Sequence, residues 1–291
     1  MIADRRRLSE NDQAAVVALV EAATAADGVA PVSEQGMLRL RGATATTHLI
    51  VDAPGGIVGY AQLDESSGAA ELVVHPLHRR RGVGRALVSR LLAEAGGSTL
   101  KVWAHGDTPA AAALAAATGL KRIRSLWQMS RPLTGDLPAP RIPAGIVVDT
   151  FVPGVDDTDW VALNARAFAD HPEQGAWAIA DLHDRMAEPW FDPAGFFVAR
   201  RGRSMVGFHW TKVHDDATGE VYVVAVAATE QGHGLGQALT LVGMHHLRQI
   251  GLERVILYVD ESNHAAVRLY HGLGFERVGL DVIYATTRPT G

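Results

Sequence analysis

The 291 residues predict an α/β (α+β) chain of two tandem domains, each a mixed, mostly antiparallel sheet flanked by helices. Three observations point there. Strand-type runs alternate with stretches of helical periodicity through both halves. A Val-rich run passes straight into a glycine loop that opens a helix at 220–236, EVYVVAVAATEQGHGLG, and in a divergent copy at 71–84, ELVVHPLHRRRGVG. Matching Gly82 and Gly84 to Gly234 and Gly236 needs an offset of 234 − 82 = 152, a period of domain size that implies a tandem duplication. In each copy the loop amides converge where a helix dipole also favours negative charge, an arrangement suited to a pyrophosphate.

In chain order, a helix is expected from Ser9 to about Asp27 and a shorter one after Ser33, each serine placed to cap a first turn. Strands at 47–52, 56–63 and 69–75, with Pro54-Gly55-Gly56 as a turn, read as an antiparallel meander. The helix after Gly84 follows, then a strand at 100–105, an Ala-rich helix at 109–117 and a closing strand at 121–130. Residues 131–145, RPLTGDLPAPRIPAG, carry four prolines and should form a semi-rigid connection, which places the boundary between a domain of 1–138 and one of 139–291. The second half repeats the order: a strand at 146–151, helices at 157–169 and 175–187, and strands at 195–201, 204–213 and 219–228. It ends with the loop and its helix, a strand at 255–260, a helix at 263–273 and a strand at 275–285.

Composition removes whole classes of function. With no cysteine there is no thiol nucleophile, thiolate metal site or disulfide framework. Thirteen histidines show no His-Glu-x-x-His spacing, so no metal is expected. The net charge of −5, with basic clusters only at Arg5–Arg7 and Arg79–Arg81, argues against nucleic acid as a partner. The absence of a signal-type core or a long apolar run predicts a cytoplasmic protein that does not engage a membrane; a monomer is expected.

The Gln/Arg-x-x-Gly-x-Gly motif after a central strand, present in both halves, resembles the GCN5-related N-acetyltransferase (GNAT) family. Further blocks at 29–35 (VAPVSEQ), 103–106 (WAHG), 167–177 (AFADHPEQGAW), 188–193 (EPWFDP), 207–214 (GFHWTKVH), 257–263 (LYVDESN) and 265–275 (AAVRLYHGLGF) resemble its mycothiol synthase branch along nearly the whole chain. That resemblance implies acetyl-CoA as donor and a small thiol-sugar, cysteinyl-glucosaminyl-inositol, as acceptor, the acetyl group going to its cysteine amine. Two departures stand out: the family's Asp-Pro is Ala227-Ala228, and its Arg-Arg-Gly is Gly232-His233-Gly234. Both keep the backbone donors and remove side-chain charge.

The resemblance assigns roles residue by residue. Gln231, Gly232, His233, Gly234, Leu235, Gly236 and Gln237 would cradle the pyrophosphate, as would Arg79, Arg80, Arg81, Gly82, Val83, Gly84 and Arg85 in the first half. Val224, Ala225 and Val226, like Leu72, Val73 and Val74, would offer backbone to the pantetheine, and an N–H near a bulge would face the thioester oxygen. Glu220 matches the general base and Tyr270 the proton donor to the departing sulfur; Asn263 and Arg268 would contact CoA, although Asn263 equally suits a helix cap. Glu34, Glu173, Lys212, Tyr258 and Glu220 itself would bind the acceptor in a pocket between domains.

The first half lacks this chemistry: the 152 offset takes Glu220 to Gly68, and an offset of 155, from Gly274-Phe275 to Gly119-Leu120, takes Tyr270 to Ala115 and Asn263 to Thr108. The first domain should therefore bind acetyl-CoA without catalysis while the second transfers. A covalent acyl-enzyme is disfavoured, since no cysteine and no Ser–His pair is evident. Two alternatives stay open: a GNAT acting on protein N-termini or aminoglycosides, and a non-enzymatic acyl-CoA sensor, for which retention of both Glu220 and Tyr270 would have no use.

Overall fold

A computed structural model describes residues 2–42, 45–169, 174–214 and 217–286. The first half of the chain forms β1 (Ile2–Arg5), α1 (Glu10–Asp27), α2 (Glu34–Leu40), β2 (Thr46–Ala53), β3 (Gly56–Asp64), β4 (Ala69–Val74), α3 (Val83–Glu94), β5 (Lys101–Ala104), α4 (Pro109–Ala117) and β6 (Lys121–Pro132). The second forms β7 (Ile146–Thr150), α5 (Asp157–Ala167), α6 (Ile179–Met186), β8 (Phe196–Arg201), β9 (Ser204–Val213), β10 (Thr218–Val226), α7 (Leu235–Gln249), β11 (Arg254–Asp260), α8 (His264–Gly272) and β12 (Glu276–Ala285).

Local chemistry sets the helix ends. Ser9 accepts a hydrogen bond from the Asp12 amide while Asp12 accepts one from the Ser9 amide, a reciprocal cap, and Gly28 at φ 72° closes α1 by donating to Thr24 O. Ser33 caps α2 through the Gly36 amide. Two expectations change. β1 was not foreseen, because a charged four-residue edge strand has too few alternations to register, and only its antiparallel pairing with β2 defines it. The helix expected at 175–187 begins at Ile179, where Asp181 caps the Ala178 amide; Gln174–Ala176 form a separate 3-10 turn.

The described residues cluster in two compact units, one drawn from Met1–Leu126, Asp260–Ser262 and Gly279–Gly291, the other from Trp127–Val259 and Asn263–Val278. In the first unit the sheet order is β1-β2-β3-β4-β5-β12, antiparallel except for the parallel pair β4–β5. Strand alternation sends Ile50, Tyr60 and Val73 to one face under Val16, Leu19 and Val20 of α1. Leu49, Ala61 and Leu63 point to the other, under Leu87 and Leu91 of α3. In the second unit the order is β6-β11-β10-β9-β8-β7, with β10 parallel to β11 and antiparallel to β9. Trp160 of α5 and Leu182 of α6 cover Phe208, Trp210, Val223 and Ala225 on one face. Met244 and Leu247 of α7 pack with Val221, Val255 and Leu257 on the other.

The closing strands depart from the expected segmentation. β12 gives Gly279–Ala285 to the first unit, where Val282 and Tyr284 join the core and Ile283 pairs with Trp103. β6 gives Trp127–Pro132 to the second, where Met129 and Leu133 are buried beside Leu257 and Phe275. The division thus falls inside β6 rather than at residue 138, and Arg131 and Pro132 end a strand rather than begin the connection. Sheet membership follows which strand edge offers unpaired backbone, and sequence proximity does not dictate it.

Candidate functional site

In the second unit β10 is the strand on which the site is built. Its antiparallel register with β9 runs from Gly219↔Val213 to Val226↔Gly207 and slips between Val221 and Val223, so that Tyr222 is an extra, bulged residue. Its parallel pairing with β11 stops at Val221↔Leu257. Beyond that point the β11-side edge of Val223–Val226 has no strand partner among the described residues, leaving peptide groups that an extended ligand can pair with.

The glycine loop follows. Gly232 and Gly234 sit at φ 78° and 85°, where only glycine rests without strain, and Gly234 is the N-cap of α7 with no side chain over the first-turn amides. A Cβ at either position would meet open space, so the loop has room for a phosphate group on its outer side. Gln231 bonds back to Val226 O, and His233 and Gln237 are exposed. Leu235 is different: its side chain is buried against Ile146, Ala199 and Val206, so only its backbone can face a ligand. Gly236 packs near Leu269, and Val224 and Val226 lean on the α7 core while Ala225 turns to the opposite face.

Glu220 lies on β10 directly across from Lys212 of β9, and the two are only 6% and 7% exposed. Its Oε2 is 2.6 Å from His214 Nε2. The Lys212 ammonium lies 4.6 Å from the Trp190 ring centre and 5.5 Å from that of Tyr222. Arg185 donates through Nε to the Tyr222 hydroxyl and stacks 3.7 Å from Trp177. His214, Tyr222, Trp190, Trp177 and Arg185 were not singled out from the sequence, although all but Arg185 and Tyr222 lie in blocks quoted for the family resemblance. Tyr222 was hidden because alternation within a strand does not reveal a bulge.

Tyr270 is buried on α8, edge-on to Phe275 at 5.7 Å, and burial raises its phenol above the ordinary range, keeping the proton on at neutral pH. Asn263 caps α8 through the Ala266 amide, and Arg268 is exposed on that helix. Tyr258 on β11 is 42% exposed and accepts a hydrogen bond from Gln128. Glu34 opens α2 in the first unit, and Glu173 lies outside the described residues.

The first unit repeats the frame. β4 pairs with β5 only at Ala69↔Lys101 and Ala70↔Val102, leaving the later edge open. Gly82 at φ 86° caps α3 without a side-chain bond. A cavity of about 920 Å3 is lined by Leu72, Val73, Val74, Arg79, Arg80, Gly82, Val83, Gly84 and Arg85, with Trp103, His105 and Tyr284 among the others; Arg81 is exposed and outside the lining. Arg79 is already engaged by Asp27 in a two-pronged ion pair at 2.7 Å and donates to Val74 O, so it braces the loop.

One counterpart moves. Ile256 pairs with Glu220 and Lys101 with Ala69, and 256 − 101 = 155, so Glu220 corresponds to Ala69 and not to Gly68. The bulged Tyr222 accounts for the extra residue. Two positions further along β4, Glu71 is a buried carboxylate that the sequence comparison passed over. It accepts from Ser33 N at 2.9 Å and Gln62 Nε2 at 2.7 Å, and its Oε1 is 3.0 Å from His105 Nε2. Although burial opposes the charge, His105 and Ser33 hold Glu71 below the usual range. Asp281, on the far side of the ring, completes the cluster at 3.0 Å; burial alone would lower His105, but the two carboxylates push it up to about 9. A Cβ on Gly36 would collide with Glu71 and Gln62, so α2 packs directly against this carboxylate.

Comparison with known proteins agrees with this geometry. The Acetyltransferase (GNAT) family model matches residues 160–275, and an Acetyltransferase (GNAT) domain model matches 44–117. The chain is 54% identical to the mycothiol acetyltransferase of Thermobispora bispora, covering 96% of this chain and 97% of that protein. It is 56% identical to that of Thermomonospora curvata, over 94% and 93%. The chain belongs to the mycothiol acetyltransferase family. The chain is accordingly an acyltransferase. Among solved structures, a tandem GNAT protein from the clavulanic acid biosynthesis pathway superposes with a TM-score of 0.74 at 22% identity over 98% of both chains. A GCN5-related N-acetyltransferase from Sphaerobacter thermophilus gives 0.72 at 23%, over 98% and 95%. At such identities these two speak to the fold alone.

Proposed function

We propose that this acetyltransferase moves the acetyl group of acetyl-CoA to the cysteine amine of cysteinyl-glucosaminyl-inositol, forming mycothiol, and that the second unit performs the transfer. The observation that carries the assignment to the second unit is the bulge in β10, set on an open strand edge between Glu220 and the glycine loop. The acceptor rests on relatives more than half identical over nearly the whole chain, which bear the name mycothiol acetyltransferase.

The pyrophosphate would rest on the amides of 231–236, and the pantetheine along Val223–Val226. An α-amino group has an unperturbed pKa near 8, so a fraction on the order of a tenth is neutral at pH 7. The neutral nitrogen attacks the thioester carbon as its proton passes to Glu220. A backbone N–H at the bulge stabilises the oxyanion. As the C–S bond breaks, the electron pair stays on sulfur and Tyr270 supplies the proton. Lys212, Tyr258, Glu34 and Glu173 are proposed acceptor contacts, and Asn263 and Arg268 contacts to CoA.

The first unit is proposed to bind acetyl-CoA without turnover, its open edge and glycine loop providing the seat. The enzyme is proposed to be a cytoplasmic monomer that needs neither metal, nucleic acid nor membrane. The net charge of −5 supports part of this, and no helix among the described residues is long and apolar enough to cross a membrane. Incubation with acetyl-CoA and a panel of amines, with free CoA and acetylated product followed together, tests the acceptor. Cysteinyl-glucosaminyl-inositol should react far faster than an N-terminal peptide or an aminoglycoside; preference for either of those overturns it.

A further inference from the structure

We infer that His214 is a positioning residue for the transfer reaction, its Nε2–H donating to Glu220 Oε2 so that Oε1 is presented to the attacking amine. The inference rests on Glu220 as the base. The contact is short, 2.6 Å, and joins a side chain 34% exposed to one 8% exposed. Oε1 has no hydrogen-bond partner among the described residues, so one oxygen of the carboxylate is held and the other is left for chemistry. An ionised carboxylate only accepts, which fixes the imidazole as donor.

Closing the β9–β10 hairpin does not explain this side chain. That work is done by the backbone, where the His214 amide donates to Thr218 O, and any residue but proline supplies it. Lys212 lies across the strand from Glu220 with its ammonium over Trp190 and Tyr222, and Ile256 of β11, on the other side, has no polar group to offer. His214 is therefore the group that sets the carboxylate's rotation. A hydrogen bond of this kind to a charged group corresponds to roughly tenfold in rate when it acts on the transition state.

Steady-state kinetics of the full chain with acetyl-CoA and the amine that it turns over fastest test this, alongside thermal melts. H214A should lose about tenfold in kcat with little change in the KM for acetyl-CoA or in melting temperature. H214Q, which keeps a donor at similar reach, should regain most of the loss, and H214A added to E220Q should slow it no further. Wild-type turnover by H214A beside a crippled E220Q would overturn the inference and leave the base assignment standing. Equal losses in H214A and H214Q would also overturn it. Wild-type turnover by E220Q would remove both.

Discussion

β4 and β10 hold the same place in their units, yet β10 carries one extra residue, the bulged Tyr222. Both pair in parallel with the next strand only at their beginnings and run out along an open edge toward a glycine-capped helix. β4 keeps an unbroken register with β3, whereas β10 slips at Tyr222. Each strand also buries a carboxylate beside a histidine. Glu71 spends both oxygens on Ser33, Gln62 and His105 beneath α2, while Glu220 spends one. On the proposed function, duplication kept a binding frame that needs only backbone and glycine, and the chemistry went to the unit whose carboxylate keeps one oxygen unengaged among the described residues.

The sharpest way to break this comparison is to exchange the two carboxylates' fates. E220Q should lower kcat on the order of 10²- to 10³-fold, whereas E71Q should leave kcat within about twofold and cost about 1–3 kcal/mol in stability by stripping a buried hydrogen-bonded charge. Rates of CoA release and denaturant melts decide. A dead but folded E71Q would place chemistry in the first unit.

The buried histidines of the two units should respond to pH in opposite directions. Burial pushes His209 down to about 4; its Nδ1 donates to Leu239 O, and Nε2 has no partner among the described residues. Folded protein therefore binds this proton less readily than unfolded, and stability falls by up to about 3 kcal/mol as pH drops from about 6.5 to about 4. His105 is raised to about 9, so its contribution is complete below about 6.5 and is lost, again up to about 3 kcal/mol, as pH rises through 9. Melting curves between pH 4 and 10 on wild type and H209L check this; the variant should keep the alkaline loss and shed much of the acid one. An unchanged acid limb in H209L would remove His209 as its source.

Y270F should lower kcat roughly ten- to a hundredfold while acetyl-CoA binding changes little, since the hydroxyl is needed only as sulfur departs. An increase in the KM for acetyl-CoA with kcat intact would recast Tyr270 as packing.

The smallest effect separates the two loops. G234A forces a side chain into a left-handed φ, a penalty of about 1–2 kcal/mol, and should raise the KM for acetyl-CoA about tenfold. G82A carries the same strain but should leave steady-state kinetics unchanged and weaken only a second equivalent of bound acetyl-CoA, read by calorimetric stoichiometry. A matching KM change in G82A would tie the first unit to turnover.

Much of the frame was legible locally. The serine caps at Ser9 and Ser33 and the glycine turns at Gly82 and Gly234 lie within a few residues of the groups that they serve. The 152-residue offset exposed the duplication from composition-independent spacing. Hidden were the contacts that no local period encodes: Asp281 reaching His105, 176 residues away, and the transfer of Gly279–Ala285 into the first unit's sheet. The bulge was hidden too, since one added residue leaves the alternation on either side intact.

From the sequence alone came the two modules and the glycine loops, matters of residue type and short-range spacing, and, through the family resemblance, the choice of Glu220 and Tyr270. Only the tertiary structure decided which carboxylate keeps a free oxygen, which strand slips its register and which sheet each closing strand completes. Those outcomes depend on hydrogen-bond partners and packing surfaces brought together from distant parts of the chain, and the order of residues does not list them.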